Sequence, residues 1–246
     1  MNVIATSALG KRYHGKWALR DCTLGVPGGH IVALVGPNGA GKTTLLTMAV
    51  GLTRPSEGLI TVLGGEPAGS PAALDRIAFV AQDAPLYRNL PVADMLHLAR
   101  NLNQTWDQRR AHDRLEQLEI PLRQRVGELS GGQKAQLALT IALARRPALV
   151  VLDEPLASLD PVAREDFLAS VVVAARRDGI CVVLSSHVLA ELERIATYLI
   201  VLARGQVQVA GAARDLQAAH GAGLEEIALR YLRAGVSSVS RTEGAA

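Results

Sequence analysis

Cysteine is scarce: Cys22 and Cys181 are the only two in 246 residues. Neither has a second cysteine at metal-ligand spacing and both lie in apolar segments. That argues against a disulfide framework and fits a reducing compartment. Aromatic residues make up 3% of the chain against 49% hydrophobic overall, so the core must be built from Ala, Val, Leu and Ile. Long apolar runs are missing as well. Ile31–Val35 and Ala148–Leu152 are of strand length, whereas a membrane-spanning helix needs ~20 apolar residues. Nothing here is expected to cross a bilayer, and any service to a membrane would run through a partner. Met1 to Lys11 lacks a basic stretch followed by an apolar core, so no secretory signal is expected. Lys and Arg are scattered, with no basic arm. The formal charge of +3 and pI of 9.1 are weakly basic. They name no partner, and nucleic acid is not expected. There is no internal repeat and no low-complexity tract.

What is present has the rhythm of an α/β protein. Val3–Leu9, Leu19–Val26 and His30–Val35 read as strands separated by turn residues such as Pro27-Gly28-Gly29. The continuously apolar run ending at Val35 suits a strand buried on both faces. A helix pattern covers Lys42 to Val50, and Leu59–Leu63 and Arg76–Ala81 read as further strands. From Pro91 to Leu122 the pattern turns polar and helical, with Met95, Leu98, Leu102, Leu115 and Leu118 at helical spacing. This segment reads as a helical insert in the α/β body. After Gly132 the body resumes. A helix is followed by the strand Leu149–Leu152, a helix over Val162–Arg176, the strand Ile180–Ser185 and a helix near Val188–Ala196. Tyr198–Leu202 and Gln206–Val209 read as a hairpin around Arg204-Gly205. The expected organisation is one domain over residues 1–235, with a helical subdomain at about 88–145. A Ser-, Gly- and Ala-rich tail, 236–246, is expected to fray.

Gly36-Pro37-Asn38-Gly39-Ala40-Gly41-Lys42-Thr43 matches the phosphate-binding P-loop, and Thr44 follows it. Glycines let the chain turn tightly and aim successive N–H groups at phosphate oxygens. The helix beginning at Lys42 adds the positive end of its dipole. Lys42 brings a full charge to the β- and γ-phosphates, and the Thr43 hydroxyl can ligate Mg²⁺. An apolar strand before the loop and a helix after it supply the context that separates this motif from an incidental glycine turn. The second feature is Leu149–Leu152 running into Asp153-Glu154. Ligands bind at the carboxyl ends of parallel strands, which places Asp153 to hold Mg²⁺, through water, and Glu154 to act as general base or to position water. Alone, an Asp-Glu pair would more simply cap a strand. With a P-loop upstream the chemical reading is favoured.

A second anion site stands at Leu129-Ser130-Gly131-Gly132-Gln133, where Ser130 is a helix N-cap residue and the glycines leave backbone N–H groups uncovered. This segment resembles the signature motif of ABC ATPases, and the family's other motifs follow in order. Tyr13 resembles the aromatic that stacks on adenine, Gln82 the Q-loop glutamine, Ser158-Leu159-Asp160 the D-loop and His187 the switch histidine. The resemblance spans about residues 3 to 211.

It implies an α/β P-loop NTPase core with a mixed sheet, an antiparallel β subdomain and an inserted helical subdomain. It also implies hydrolysis of ATP with Mg²⁺. Glu154, His187 and Gln82 would act in catalysis, and Thr43, Gln82 and Asp153 would hold the metal. A head-to-tail dimer is implied, in which Ser130, Gly131, Gly132, Gln133 and Asp160 serve the nucleotide of a second ABC ATPase subunit. Integral membrane permease subunits and a place on the cytoplasmic face of the membrane complete the expectation. Gly51-Leu52-Thr53-Arg54-Pro55-Ser56-Glu57-Gly58, followed by Ile60 and Val62-Leu63-Gly64, and Leu159–Arg164 resemble the multidrug and antibiotic exporter branch. Two other readings exist within the family: a soluble ATPase acting on nucleic acid or ribosomes, and a cassette that hydrolyses nothing. The single cassette without a coiled coil or basic arm argues against the first. Glu154 and His187 argue against the second.

Overall fold

The computed structural model describes residues 1–82 and 85–237. The chain opens with two long antiparallel strands, β1 (Asn2–Tyr13) and β2 (Lys16–Pro27), followed by β3 (Ile31–Val35) and α1 (Lys42–Ala49). Next come β4 (Glu57–Val62), β5 (Glu66–Pro67), α2 (Pro71–Leu74) and β6 (Ile77–Val80). Three helices, α3 (Val92–Asn101), α4 (Gln108–Gln117) and α5 (Gly131–Ala144), lead to β7 (Leu149–Leu152), α6 (Pro161–Asp178) and β8 (Cys181–Ser186). The hairpin β9 (Tyr198–Ala203) and β10 (Gln206–Ala212) precedes α7 (Ala213–His220) and α8 (Leu224–Ser237).

The strands form two sheets. One is antiparallel, in the order β2-β1-β4-β5, and the other has six strands in the order β10-β9-β3-β8-β7-β6. Within the larger sheet β9, β3, β8, β7 and β6 are mutually parallel and only β10 runs against its neighbour. Side chains of a strand alternate between faces, and β3 uses both. Ile31, Ala33 and Val35 join the core under α5, α6 and α8. Val32 and Leu34 join the core shared with α1 and the antiparallel sheet. All five are buried, which accounts for the unbroken apolar run. The expected mixed-sheet α/β class is what the coordinates contain.

A third core, with Val92, Leu96, Leu115, Val126 and Leu137, lies among α3, α4 and α5. Helix α5 faces two cores: Leu137 and Ala144 point into this one, Leu139 and Leu143 into the main one. A buried polar link adds to the α4–α5 contact. Arg114 Nε donates to Thr140 Oγ1 (3.1 Å) and Nη2 to Gln136 Oε1 (2.7 Å). Burial first, and then the nearby Arg110 charge, pull Arg114 down to about 10. The insert is also tied to the body through Arg110–Asp178 and through Arg146–Asp107.

Several expectations are corrected. The helix near Val188–Ala196 is a single 3₁₀ turn, Leu189–Glu191. Ser186 Oγ accepts from the Val188 N–H (2.9 Å), and Val188 is extended. The turns that follow mix i→i+3 and i→i+4 bonds to Leu189 and Leu192 and do not propagate. Leu102, placed on the apolar face of the insert, is 74% exposed because α3 ends at Asn101. Val236 and Ser237, counted with the fraying tail, lie in α8, and 238–246 fall outside the described residues. Both cysteines are buried and unpaired, and burial pushes both thiols up. No described helix is long and apolar enough to cross a membrane.

Asp107 caps α4 by accepting from the Arg110 N–H (3.0 Å) and pairs with Arg146 Nη2 (2.6 Å). The Arg110 backbone donor, and then the Arg146 guanidinium, hold its carboxyl below the usual range. A depressed folded value contributes stability that is present above the ordinary carboxylate value and lost as pH falls through the depressed one. Asp107→Asn, which keeps a capping oxygen, should therefore be less stable than wild type at neutral pH and converge with it in acid, as pH falls through the depressed value. Urea midpoints measured across pH would show this, and a gap that does not close in acid would contradict it.

Candidate functional site

The chemistry gathers at the carboxyl ends of neighbouring parallel strands. β3 ends in the glycine loop, β8 in Ser185, Ser186 and then His187, β7 in Asp153-Glu154 and β6 in Gln82. A cavity of about 440 Å³ opens there, lined by Tyr13, residues Asn38 to Thr44, Gln82, Glu154 and His187. Tyr13, at the end of β1, is 44% exposed, and Lys11 Nζ lies 5.1 Å from its ring centre.

The loop is built for a backbone cradle. Gly41 has φ +102, and a Cβ there would stand 2.6 Å from the Ala18 carbonyl oxygen, so no other residue fits without displacing the chain. Lys42 starts α1 and is only 6% exposed. Its Nζ donates to the carbonyls of Gly36 (2.8 Å) and Pro37 (3.3 Å) and lies 3.1 Å from Glu154 Oε1. Among the described residues Glu154 Oε1 is buried with no hydrogen-bond partner, and the Lys42 charge compensates it. The other oxygen, Oε2, lies 3.0 Å from His187 Nδ1. A buried carboxylate is tolerated only when paired. Here it is held between a cation from one strand end and an imidazole from another. Glu154 also sits at φ +47, a sparsely populated conformation for a residue with a side chain. Strain of that kind collects where geometry matters more than local preference.

Asp153 stands behind this group, 3% exposed. Its Oδ1 accepts from Ser185 Oγ (2.6 Å), and the same Oγ accepts from the Glu154 N–H (2.8 Å). Ser185 thus fixes both acids, and the sequence reading missed it. The signal was available. A small hydroxyl ends the strand beside the acidic one, and the register Leu152↔Leu184 sets it across from Asp153. Thr43 and Gln82 line the cavity and Asp153 stands behind Glu154, and their side-chain oxygens are of the hard type that could hold Mg²⁺.

Ser130, Gly131, Gly132, Gln133 and Asp160 are not brought to this cavity. Ser130 and Gln133 close a reciprocal cap on α5: Ser130 Oγ accepts from the Gln133 N–H (3.1 Å) and Gln133 Oε1 from the Ser130 N–H (3.0 Å). Gly132 is also demanded by packing, since a Cβ there would lie 2.9 Å from that of Ala163 on α6. Asp160 caps α6 through the Ala163 N–H (2.9 Å). Ser130, Gly132, Gln133 and Asp160 line a separate cavity of about 560 Å³, and Gly131 faces a groove shared with Gln82.

A P-loop, an acidic strand end and a capped Ser-Gly-Gly-Gln helix start in one chain decide the comparison. The family model of the ABC transporter matches residues 19–157. The chain belongs to the ATP-binding subunits of ABC transporters. That family uses ATP with Mg²⁺ and hydrolyses it. Among ABC relatives, the Fe(3+) ions import ATP-binding protein FbpC of Pseudomonas fluorescens is 35% identical over 223 residues, covering 88% of this chain and 63% of the relative. This chain therefore spans less than two thirds of that protein's length. The lipopolysaccharide export system ATP-binding protein LptB of Haemophilus influenzae is 30% identical over 220 residues, 86% of this chain and 91% of its own. A solved ATP-binding subunit of an ABC transporter superposes with a TM-score of 0.80 at 28% identity, over 93% of this chain and 99% of the other.

Removing Ser185 Oγ would leave a buried carboxylate oxygen and a partly buried N–H without their partner. Ser185→Ala is expected to cost about 3 kcal/mol, since each unsatisfied buried group costs roughly 1–3 kcal/mol and charged ones more. Equilibrium urea unfolding measures this, and a loss under about 1 kcal/mol would mean that water replaces the hydroxyl without penalty.

Proposed function

We propose that this chain hydrolyses ATP as the motor subunit of an ABC transporter, driving export of a small molecule such as a drug, antibiotic, peptide or lipid through separate membrane subunits. The observation that carries the hydrolytic reading is the Glu154 carboxylate, held between Lys42 and His187 in the P-loop cavity. A bound nucleotide brings its own negative charge to Lys42 and competes with Glu154 for it. The released carboxylate is then free to accept a proton from water or to orient it. His187, on the same carboxylate, contacts the γ-phosphate side of the cavity. Thr43, Asp153 and Gln82 would hold Mg²⁺, which would supply neutralising charge at the phosphates. Tyr13, exposed at the cavity rim, stacks on the adenine face.

The second half of the reading is assembly. The loop at Gly36–Thr44 and the α5 start at Ser130–Gln133 are both phosphate-binding helix starts, yet Ser130 and the P-loop line different cavities. One nucleotide inside one protomer does not reach both. Two subunits, identical or homologous, therefore close head to tail around two nucleotides. Loss of a γ-phosphate removes the charge that joins them. In this reading residues 1–235 form one ABC ATPase domain. The helical subdomain at about 88–145 and the Gln82 loop pass the motion to membrane permeases, placing the chain at the cytoplasmic face. Export is favoured by the Gly51–Gly64 and Leu159–Arg164 segments. The relatives include both an importer's and an exporter's subunit.

Glu154→Gln tests the core of the proposal. It removes the proton acceptor while leaving the loop and Lys42 in place. Phosphate release should fall by at least roughly a hundredfold, and ATP should accumulate a dimer resolvable by size-exclusion chromatography. A variant that turns over ATP at the wild-type rate would overturn the assignment of the base.

A further inference from the structure

Arg164 occupies an odd place for a cation. It lies in the first turns of α6, whose N-terminus carries the positive end of the helix dipole, so the helix gains nothing from its charge. Its side chain does not extend into solvent. It folds back past the N-cap Asp160, and Nε donates to the Leu159 carbonyl (2.9 Å). The far nitrogen, Nη1, donates to Glu191 Oε1 (2.5 Å). One guanidinium thus joins two segments far apart in sequence, and its rigid fork holds both in a fixed relation. The partners are half-buried, 35% exposed for Arg164 and 19% for Glu191.

The two segments both belong to the proposed machinery. Leu159 immediately precedes Asp160, which lines the cavity with Ser130 where a second subunit would sit. Glu191 lies four residues beyond His187, whose ring touches the Glu154 carboxylate. The stretch carrying His187 and Glu191 lacks a continuous helix and contains a single 3₁₀ turn. Its position depends on anchors: Leu189 and Leu192 in the core, the Ser186 hydroxyl on Val188, and Arg164 on Glu191. The anchor at Arg164 reaches the Leu159–Asp160 loop through a hydrogen bond to the Leu159 carbonyl.

We infer that Arg164 is a positioning residue for hydrolysis, coupling the Leu159–Asp160 loop to the segment that carries His187. Movement of that loop against a second subunit is transmitted through the guanidinium to Glu191 and so to the histidine on Glu154. Arg164 does not line the P-loop cavity and acts through Leu159 and Glu191. This inference rests on the ATPase reading above.

The test is a double-mutant cycle on the full chain, with phosphate release and thermal melting measured together. Arg164→Ala and Glu191→Gln should each lower kcat about tenfold, leave the ATP KM within about twofold, and lose no more together than Arg164→Ala alone. Arg164→Lys, which keeps the charge but loses the fork, should fall between wild type and Arg164→Ala. Because a partly exposed ion pair contributes little to folding, melting should shift by only a few degrees. Additive losses, an unchanged kcat, a raised KM at wild-type kcat, or a melting loss that accounts for the lost activity would each overturn the coupling. If wild type hydrolyses ATP and Arg164→Ala matches it, only this inference fails. A wild type that releases no phosphate removes both.

Discussion

The site depends on one electrostatic constraint: the Glu154 carboxylate is buried and must be paired. Its Oε1 has no hydrogen bond among the described residues and relies on Lys42, and its Oε2 relies on His187. Glu154 and His187 follow β7 and β8, and Lys42 starts the helix after the β3 loop, so a parallel sheet with β3, β8 and β7 adjacent delivers them to one place. The strand order is thus a condition of the chemistry. Parallel strands buried on both faces need unbroken apolar sequence, which is why Ile31–Val35 and Leu149–Leu152 contain no polar residue. The conformation of Glu154, at φ +47, is a local cost that the surrounding pairs sustain.

Legibility in the sequence followed how local each cause is. The P-loop and the acidic strand end were readable because each is one contiguous stretch whose residue types answer to phosphate or metal chemistry. The central strands were readable because burial on both faces leaves a plain apolar run. Ser185 was not recognised, since its role arises from cross-strand register and not from its neighbours in sequence. The stretch after His187 misled in the opposite direction. Val188, Leu189 and Leu192 resemble a helix face, but the Ser186 side chain competes for the backbone at Val188 and stops propagation. Helices α7 and α8 went unassigned, although Leu224, Ile227, Ala228 and Tyr231 of α8 fall at helical spacing. Leu224, Ile227 and Ala228 are buried only because the β9–β10 side of the body offers them a surface. Arg164 entered the sequence reading only within the Leu159–Arg164 resemblance, and its two partners, Leu159 and Glu191, could be known only from the fold.

The helical insert and the body have separate cores and one helix in common. The insert has its own core, so it does not borrow apolar cover from the sheet. Yet α5 is shared, with Leu137 and Ala144 on one side and Leu139 and Leu143 on the other. Packed interiors transmit displacement and do not absorb it. A force on the capped start of α5 at Ser130 is therefore felt in both cores. Gly132 tightens this arrangement, because its close approach to Ala163 ties the start of α5 to the start of α6.

These contacts give the site two routes by which a neighbour could be sensed. One runs through Ser130 and α5 into the helical insert. The other runs from the loop at Leu159 and Asp160, through Arg164 and Glu191, to His187. They meet near the start of α6, where Ala163 packs against Gly132 and the adjacent Arg164 reaches to Glu191. A rigid helix cannot move one of these residues and leave the next behind. Displacement of α6 must then act together on the anion-binding helix start and on the imidazole that touches Glu154. That shared point is why engagement of a second subunit and readiness of the carboxylate are expected to be a single event.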